Sequence, residues 1–538
     1  MNQILIFLKK HTELFTLSIS FFISGFFHAY NMFHYPFFEN DEGTYIAQAW
    51  SVLAQGKLAP YTYWYDHAPF GWIFTSLWLF TSGGVFRFGF SLYSARIFML
   101  LIHLASTVLL YKITKKITNS NLAAFVTCLF FSVSPLAIYF QRRLLLDNLM
   151  TFWVLLSLFL IFYARQRLWV FLLSAVTFGI AVLTKENAVF WLPVFIWLIY
   201  KESHTHNKLF AVIKWIVISG MIISLYPFYA ILKGELFPVG SIFASAHPHV
   251  SLLGTLNSQA SRGSGLPFWN RKSDFILNLT YWHGKDPLLI IAGFCALYIQ
   301  SIQSFINKKS RVIALLTLSM LAFLASGKLV INFYIIPLIP FLAMCIGYTI
   351  SQSLTQVKKY AKFLYLPIII GGLSLIGYYY FYYTHEPLFR DETSKQVEAI
   401  NWIKKNIPPN KCISIDFYGY EDLAESRFAG DPKFTCADWF WKVELDQDIR
   451  VKKLDNSPRK IDYVMVTAEV QRQLKGFPQS TSMLRQALRN SKDIAEFSSE
   501  PNFNFTLDLI NQQYPNGDWV VLYKQNTNKD SFIPSRNY

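Results

Sequence analysis

The sequence predicts a polytopic α-helical membrane protein of about 11 transmembrane helices plus interfacial helices, with a small extracytoplasmic α/β domain at its C-terminal end. Three observations predict it. Hydrophobic residues make up 53% of the 538-residue chain and charged residues only 15%, far from the balance of a water-soluble protein. Apolar stretches recur at close to the roughly 20 residues a helix needs to cross a hydrocarbon core. After Tyr383 the pattern turns mixed and polar.

Spans read at Leu14 to Tyr30, Leu92 to Ile113, Leu122 to Tyr139, Leu146 to Tyr163, Trp169 to Leu183 and Ala188 to Tyr200. They continue at Phe210 to Leu232, Leu288 to Ser304, Val312 to Ala325, Phe333 to Ile350 and Phe363 to Tyr383. The first follows Lys9 and Lys10 without a small-residue cleavage site and reads as a retained span. Pro69 to Thr81 is apolar and aromatic but short, and it ends at Gly83 and Gly84. If it lies flat in the outer interface, Lys112/Lys115/Lys116, Arg165/Arg167, Lys201/Lys208, Lys308/Lys309/Arg311 and Lys358/Lys359/Lys362 all share one side with Lys9 and Lys10. Cytoplasmic loops are the ones enriched in Lys and Arg, so that side is cytoplasmic. If the segment crosses, every later cluster moves outside against the bias. The first arrangement leaves the loops at 31–90, 142–147, 185 and 233–287, with Lys328, on the outer face of a multi-pass plasma-membrane protein, and exports everything after Thr384.

The formal charge of +16 does not imply nucleic acid, because the basic residues sit in short clusters between apolar runs rather than along one face. Cys128, Cys295 and Cys345 fall inside spans and read as core residues. Cys412 and Cys436 fall in the exported region, where a disulfide is chemically permitted.

Two domains follow: a membrane catalytic domain over residues 1–383 and an extracytoplasmic α/β domain over 384–538. In the second, Thr393 and Gln396 have capping-box spacing ahead of a helical stripe of Val397, Ile400, Ile403 and Ile407, which stops at Pro408 and Pro409. Cys412 to Phe417, Ile461 to Val466 and Trp519 to Tyr523 read as short buried strands.

The strongest chemical signal is Phe37-Phe38-Glu39-Asn40-Asp41-Glu42-Gly43, just after the first span. Carboxylates so crowded tune one another's proton affinity, which suits a base that takes a proton from a hydroxyl. The same residues also suit a plain helix start with Asp41 as the cap. Next, Tyr65-Asp66-His67-Ala68-Pro69 brings an acid and an imidazole to the interfacial helix; the same residues suit a plain helix start, with Asp66 as its cap and His67 facing the headgroups. Arg142, Arg143, Lys185 and Lys328 are cations with no topogenic reason to be outside; they suit a phosphate at headgroup depth, or structural pairing of Lys185 with Asp147 and Glu186. His247 and His249 lie in the long outer loop, followed by the Gly- and Ser-rich stretch Ser261 to Gly265. With Asp66 or His67 they offer ligands to a divalent metal, and they equally suit a mobile loop that gates substrate access.

An acidic pair after the first span, Asp66-His67-Ala68-Pro69 before an interfacial helix, Arg-Arg-Leu-Leu-Leu-Asp before a later span, Leu-Thr-Lys between spans, and Gly-Lys ahead of Tyr334-Ile335-Ile336-Pro337 occur here in order. Together they resemble the GT-C superfamily, in particular the branch of protein O-mannosyltransferases and aminoarabinose transferases that modify lipid A. The resemblance covers roughly Leu14 to Ile350. It implies a glycosyltransferase, hexosyl or pentosyl, that moves a sugar with inversion from a polyprenyl-phosphate donor to a hydroxyl of a protein, lipid or glycan acceptor on the outer face. It maps Asp41, Glu42 and Asp66 onto catalytic positions, Lys185 and Lys328 onto positions near the donor phosphate, and His67 onto the second loop motif. Two departures stand out: Asp-His-Ala-Pro replaces the commoner His-Pro-Pro or Glu-Lys-Pro, and the Trp-Trp-Asp-type motif of oligosaccharyltransferases is absent. A transporter of lipid-linked saccharides would also want outer cations, but transporters concentrate polar residues near the bilayer midplane, and here they gather at span ends.

Overall fold

Each apolar stretch folds as a helix. The computed structural model of the protein describes residues 11–58, 65–164, 167–203, 208–238, 251–425, 432–499 and 517–526. The expected spans appear as Thr12–Ala29, Ser91–Thr118, Asn121–Val133 with Pro135–Gln141, Leu146–Tyr163, Leu168–Thr184, Leu192–Glu202, Lys208–Leu232, Pro287–Gln303, Lys308–Leu324, Ile339–Tyr360 and Lys362–Tyr383. The short segment expected at the interface is the helix Phe70–Ser82. Among the described residues five helices are long and apolar enough to cross a membrane unaided, and up to seven if two bent pairs are counted as one span each. Most of the others are short or broken, and Thr12–Ala29 is 18 residues long but carries Glu13 and His28. Proline explains one break: Ser134 caps the second half of its span with Pro135 in the first turn, and the two halves bend by 62°.

The chain divides into two compact units. The first comprises Met1–Met32, Tyr63–Trp78 and Arg96–Phe389; the second comprises Phe33–Thr62, Leu79–Ala95 and Arg390–Tyr538. The second unit thus takes in the acidic Glu39–Glu42 stretch as well as the polar C-terminal region.

In the first unit the basic clusters share one end of the helices. Lys112 reaches Glu13 at 2.7 Å and Lys115 pairs with the same carboxylate. Tyr163 donates to the carbonyl of Lys112, Lys309 donates to that of Thr118, and Ser120 meets Ser351. Helices packed this closely need small residues: a Cβ on Gly347 would lie 2.3 Å from Thr127 Oγ1 and 2.6 Å from the carbonyl of Ala123. Cys128 and Cys345 are buried as expected, but Cys295 is exposed. Its helix buries Leu289, Gly293, Ala296 and Gln300, and residue 295 lies off that stripe.

The opposite end holds Arg142, buried, whose guanidinium donates to the carbonyls of Phe27 and Tyr30, both at 2.7 Å, and of Pro387 at 3.1 Å. Expected at a donor phosphate, it instead serves carbonyls around the end of the first span that no helical N–H reaches.

The second unit is built on a five-stranded sheet. Its strands are β1 (Ile413–Ile415), β2 (Ala437–Trp439), β3 (Tyr463–Thr467), β4 (Ser491–Phe497) and β5 (Val520–Gln525), in the order β2-β1-β3-β5-β4. β2, β1 and β3 run parallel, and β5 runs antiparallel to both β3 and β4. β1, β3 and β5 are the strands legible in the sequence; β2 is only three residues long, and β4 alternates too weakly to stand out. Cys412 and Cys436 form a disulfide with Cα atoms 4.5 Å apart, joining the chain ahead of β1 to that ahead of β2.

The acidic helix Asn40–Gln55 packs against the residues after β1, where a Cβ on Gly43 would lie 2.3 Å from the carbonyl oxygen of Phe417. Both partners there are backbone, so neither yields easily. Gly43→Ala should therefore lower stability by about 1–3 kcal/mol in a thermal unfolding series of the full chain. Gly372→Ala, with nothing within 4 Å of the added carbon, should leave stability unchanged or slightly raised.

Candidate active site

In the first unit a buried polar cluster forms where the Phe70–Ser82 helix begins. Gly71 makes the approach feasible, since a Cβ there would lie 2.4 Å from Leu146 and 3.3 Å from Thr184. The loop before this helix is thereby pressed against the start of Leu146–Tyr163 and the end of Leu168–Thr184. Tyr65 takes a left-handed backbone conformation, φ 61°, and its hydroxyl donates to Glu235 at 2.6 Å.

The two acids flanking Lys185 are divided between two partners. Lys185 Nζ contacts Asp147 Oδ2 at 2.7 Å, with both side chains at most 2% exposed, and lies 4.4 Å from the ring centre of Tyr334. Glu186 instead turns to the other loop: Oε1 accepts from the N–H of Ala68 at 2.7 Å, and Oε2 accepts from His67 Nδ1 at 3.3 Å. A carboxylate from a distant turn thus serves the N-terminal approach to the helix, a role the sequence suggested for Asp66. Asp66 accepts from Gln259 at 3.1 Å instead, and Tyr226 donates to the carbonyl of His67 at 2.9 Å.

Lys328 is exposed and donates to the carbonyl of Ala260 at 2.6 Å, at the end of the Leu252–Ser261 helix. A cation on the last carbonyls of a helix is electrostatically favoured. Asp66 and Lys328 are therefore held by consecutive residues, Gln259 and Ala260. The Gly-rich stretch seats the lysine: at Gly263, φ 114°, a Cβ would lie 2.4 Å from the N of Leu329 and 2.6 Å from the carbonyl carbon of Lys328. Arg143 is fully buried, 4.3 Å from the ring centre of Tyr139, whose ring also has Lys285 at 4.9 Å.

Asp66 and Lys328 are thus held by neighbouring residues of one helix, and His67 is bonded to Glu186, the residue after Lys185. The sequence suggests Glu186 only as a partner for Lys185, and Gln259, Tyr226 and Tyr334 carry no local signal; only tertiary packing brings them in. His247 and His249 lie outside the described residues. Asp66 and His67 are engaged by Gln259 and Glu186, and among the described residues no group of three or more His, Cys, Asp or Glu is placed to hold a metal ion.

In the second unit Glu39, rather than Asp41, is the N-cap of the acidic helix. Glu42 closes the capping box by accepting from the N–H of Glu39 at 3.3 Å, and it is fully buried. Glu42, expected as a catalytic acid, is thus committed to the helix start. Asp41, in the same turn, is only half-buried.

The architecture can now be compared with known proteins. Residues 67–231 match the dolichyl-phosphate-mannose-protein mannosyltransferase family. The chain superposes on the oligosaccharyltransferase AglB of Archaeoglobus fulgidus, solved with an inhibitory peptide and a dolichol-phosphate, with a TM-score of 0.60 at 12% identity over 91% of this chain and 74% of that one. It superposes on ArnT of Cupriavidus metallidurans, solved bound to undecaprenyl phosphate, with a TM-score of 0.52 at 12% identity over 86% of this chain and 94% of that one. The chain thus shares the fold of these two membrane enzymes. No curated protein sequence matches it. The family match begins at His67 and ends in the Lys208–Leu232 helix, so it takes in His67, Lys185 and Glu186 but leaves out Asp41 and Lys328.

The His67–Glu186 pair gives the site a pH signature. Burial disfavours the charged imidazole, but Asp66 and Glu186 outweigh it and hold His67 above its ordinary value of 6.5. Burial likewise pushes Glu186 up, but the bond and charge of His67 outweigh it and hold the carboxyl below its ordinary 4.5. Stabilisation from His67 is complete below 6.5 and is lost as pH rises through the elevated folded value. That from Glu186 is complete above 4.5 and is lost as pH falls through the depressed one. Glu186→Gln should lower the titration midpoint of His67, read by NMR of labelled histidine in the full chain. An unmoved midpoint would mean the carboxylate does not hold the proton.

Proposed function

We propose that this chain is a glycosyltransferase that moves a sugar, with inversion, from a polyprenyl-phosphate-linked donor to an acceptor hydroxyl on the extracytoplasmic face. The observation that carries the reading is the charge distribution in the first unit. One end gathers the basic clusters; the other holds the Lys185–Asp147 and His67–Glu186 pairs, with Asp66 and Lys328 held by Gln259 and Ala260. The GT-C fold and the polyprenyl phosphates seen with two proteins of similar fold support the same chemistry.

In the proposed step the acceptor oxygen attacks the anomeric carbon as the bond from that carbon to the phosphate oxygen breaks. Polyprenyl phosphate leaves with the bonding pair. A phosphate needs charge neutralisation more than protonation, which assigns it to Lys328 and Lys185. Lys328 is the accessible one. The buried Lys185 would exchange Asp147 for phosphate, or hold its loop in place through Asp147. The acceptor hydroxyl needs a base, and Asp41, in the crowded acidic stretch at the start of its helix, is our assignment. The lipid tail stays in hydrocarbon, which explains a site at the membrane boundary.

The full chain in lipid nanodiscs, offered a panel of polyprenyl-phosphate sugars and acceptors, should release free polyprenyl phosphate, and Asp41→Asn should slow release by about 10²–10⁴-fold. Equal turnover in the variant would remove Asp41 as base. Flipping of labelled donors without release would favour a transporter.

The proposed orientation has its own check. A thiol placed in the Lys358–Lys362 turn should resist a membrane-impermeant reagent in intact cells, and one placed at Lys404 should react. The reverse pattern would put the basic end outside and overturn the extracytoplasmic assignment.

A further inference from the structure

The spacing of Thr393 and Gln396 predicts a capping box, and the structure puts both side chains to a different use. Thr393 is the N-cap of the Ser394–Asn406 helix, but its hydroxyl donates to the carbonyl of Phe33 at 2.6 Å, and Asp391 receives the first N–H groups instead. Gln396 turns away from its own helix. Its Oε1 accepts from the N–H of Phe38 at 2.7 Å and its Nε2 donates to the carbonyl of Phe38 at 3.1 Å. One amide thus pairs both backbone groups of a residue three positions before Asp41.

The neighbouring contacts extend this clamp. Glu392 accepts from the N–H of Phe37 at 3.1 Å, and its own N–H donates to the carbonyl of His34 at 2.7 Å. The Phe38 ring stacks on Phe90 and on Tyr418, which also meet each other, and the Tyr418 hydroxyl donates to the carbonyl of Gln396. On the far side of Asp41, Gly43 meets the Phe417 carbonyl after β1. In a parallel α/β sheet the crevice at the carboxyl ends of strands, where the order reverses, is the usual place for a ligand. Here β1 lies between β2 and β3, and the chain's own acidic helix is packed at the carboxyl end of β1.

We propose that Gln396 is a positioning residue for Asp41, and that the C-terminal domain acts as the template that holds the acidic loop in its working conformation. This rests on Asp41 being the base. Only an uncharged side chain with a donor and an acceptor at this reach satisfies both groups of Phe38. A misplacement of about 1 Å in a reacting group costs on the order of 10²-fold in rate.

The test measures release of polyprenyl phosphate by the full chain in nanodiscs. Gln396→Met should lower kcat by about 10–100-fold while changing the donor KM less than about twofold. In an Asp41→Asn background the same change should cost nothing further. Gln396→Glu keeps the acceptor but loses the donor, so its turnover as a fraction of the wild type's at the same pH should rise as pH falls and the new carboxyl gains a proton. Gln396→Asn, one methylene short, serves as a second variant should Met at this position impair folding, and is expected to lose kcat likewise. Wild-type turnover in these variants, or a loss that multiplies in full with Asp41→Asn, overturns the proposal. Hydrogen exchange at the Phe38 amide separates the two readings. If Asp41→Asn turns over normally, the base assignment fails, and faster exchange in Gln396→Met still supports the clamp. Unchanged exchange overturns the clamp itself.

Discussion

A polar group in hydrocarbon must find its partner within the protein, and this requirement organises the first unit. Its helices carry apolar side chains along their lengths and release ionisable ones at their ends. Where a charge is buried there, it is paired at short range. The Lys185–Asp147 contact, with both side chains almost wholly enclosed, is the clearest case. Loss of either partner from such a pair leaves a buried charge, at a cost of about 3–5 kcal/mol. A group of this kind is both structural and within reach of chemistry, because an arriving anion competes for a cation already stripped of water.

The same requirement separates the candidate cations by role. Arg142 has the bidentate geometry suited to phosphate, yet its donors are used on the carbonyls of Phe27, Tyr30 and Pro387. Helix ends inside a membrane protein present such orphan acceptors, and a planar guanidinium answers several at once. Lys328 meets one carbonyl of a helix end and stays exposed, which leaves its remaining donors to solvent or ligand. Two cations that look alike in sequence therefore differ in what they have left to offer.

In the second unit the acidic helix and the sheet form one packed body. The helix start is closed from within by Glu39 and Glu42, and the loop before it is held from outside by Glu392, Thr393 and Gln396. Such double support suits a carboxylate whose position must not drift, since a site held on rigid elements loses less to misalignment than one on a free loop. The disulfide between Cys412 and Cys436 adds a covalent restraint next to β1, the strand whose end receives the helix.

The sequence by itself determined the helices, because hydrophobic run length and basic flanks are local quantities: every expected span is a helix, and the basic clusters do gather at one end. It also determined which residues carry charge near span ends, marking Asp66 with His67, and Lys185 and Lys328 together with Arg142 and Arg143. Partner choice was decided only in three dimensions. Whether Lys185 takes Asp147 or Glu186, or whether Gln396 caps its own helix or clamps Phe38, depends on which of several equally capable groups packing brings within about 3 Å. Composition and period do not encode that distance, and so the alternatives remained open until the fold brought particular partners together.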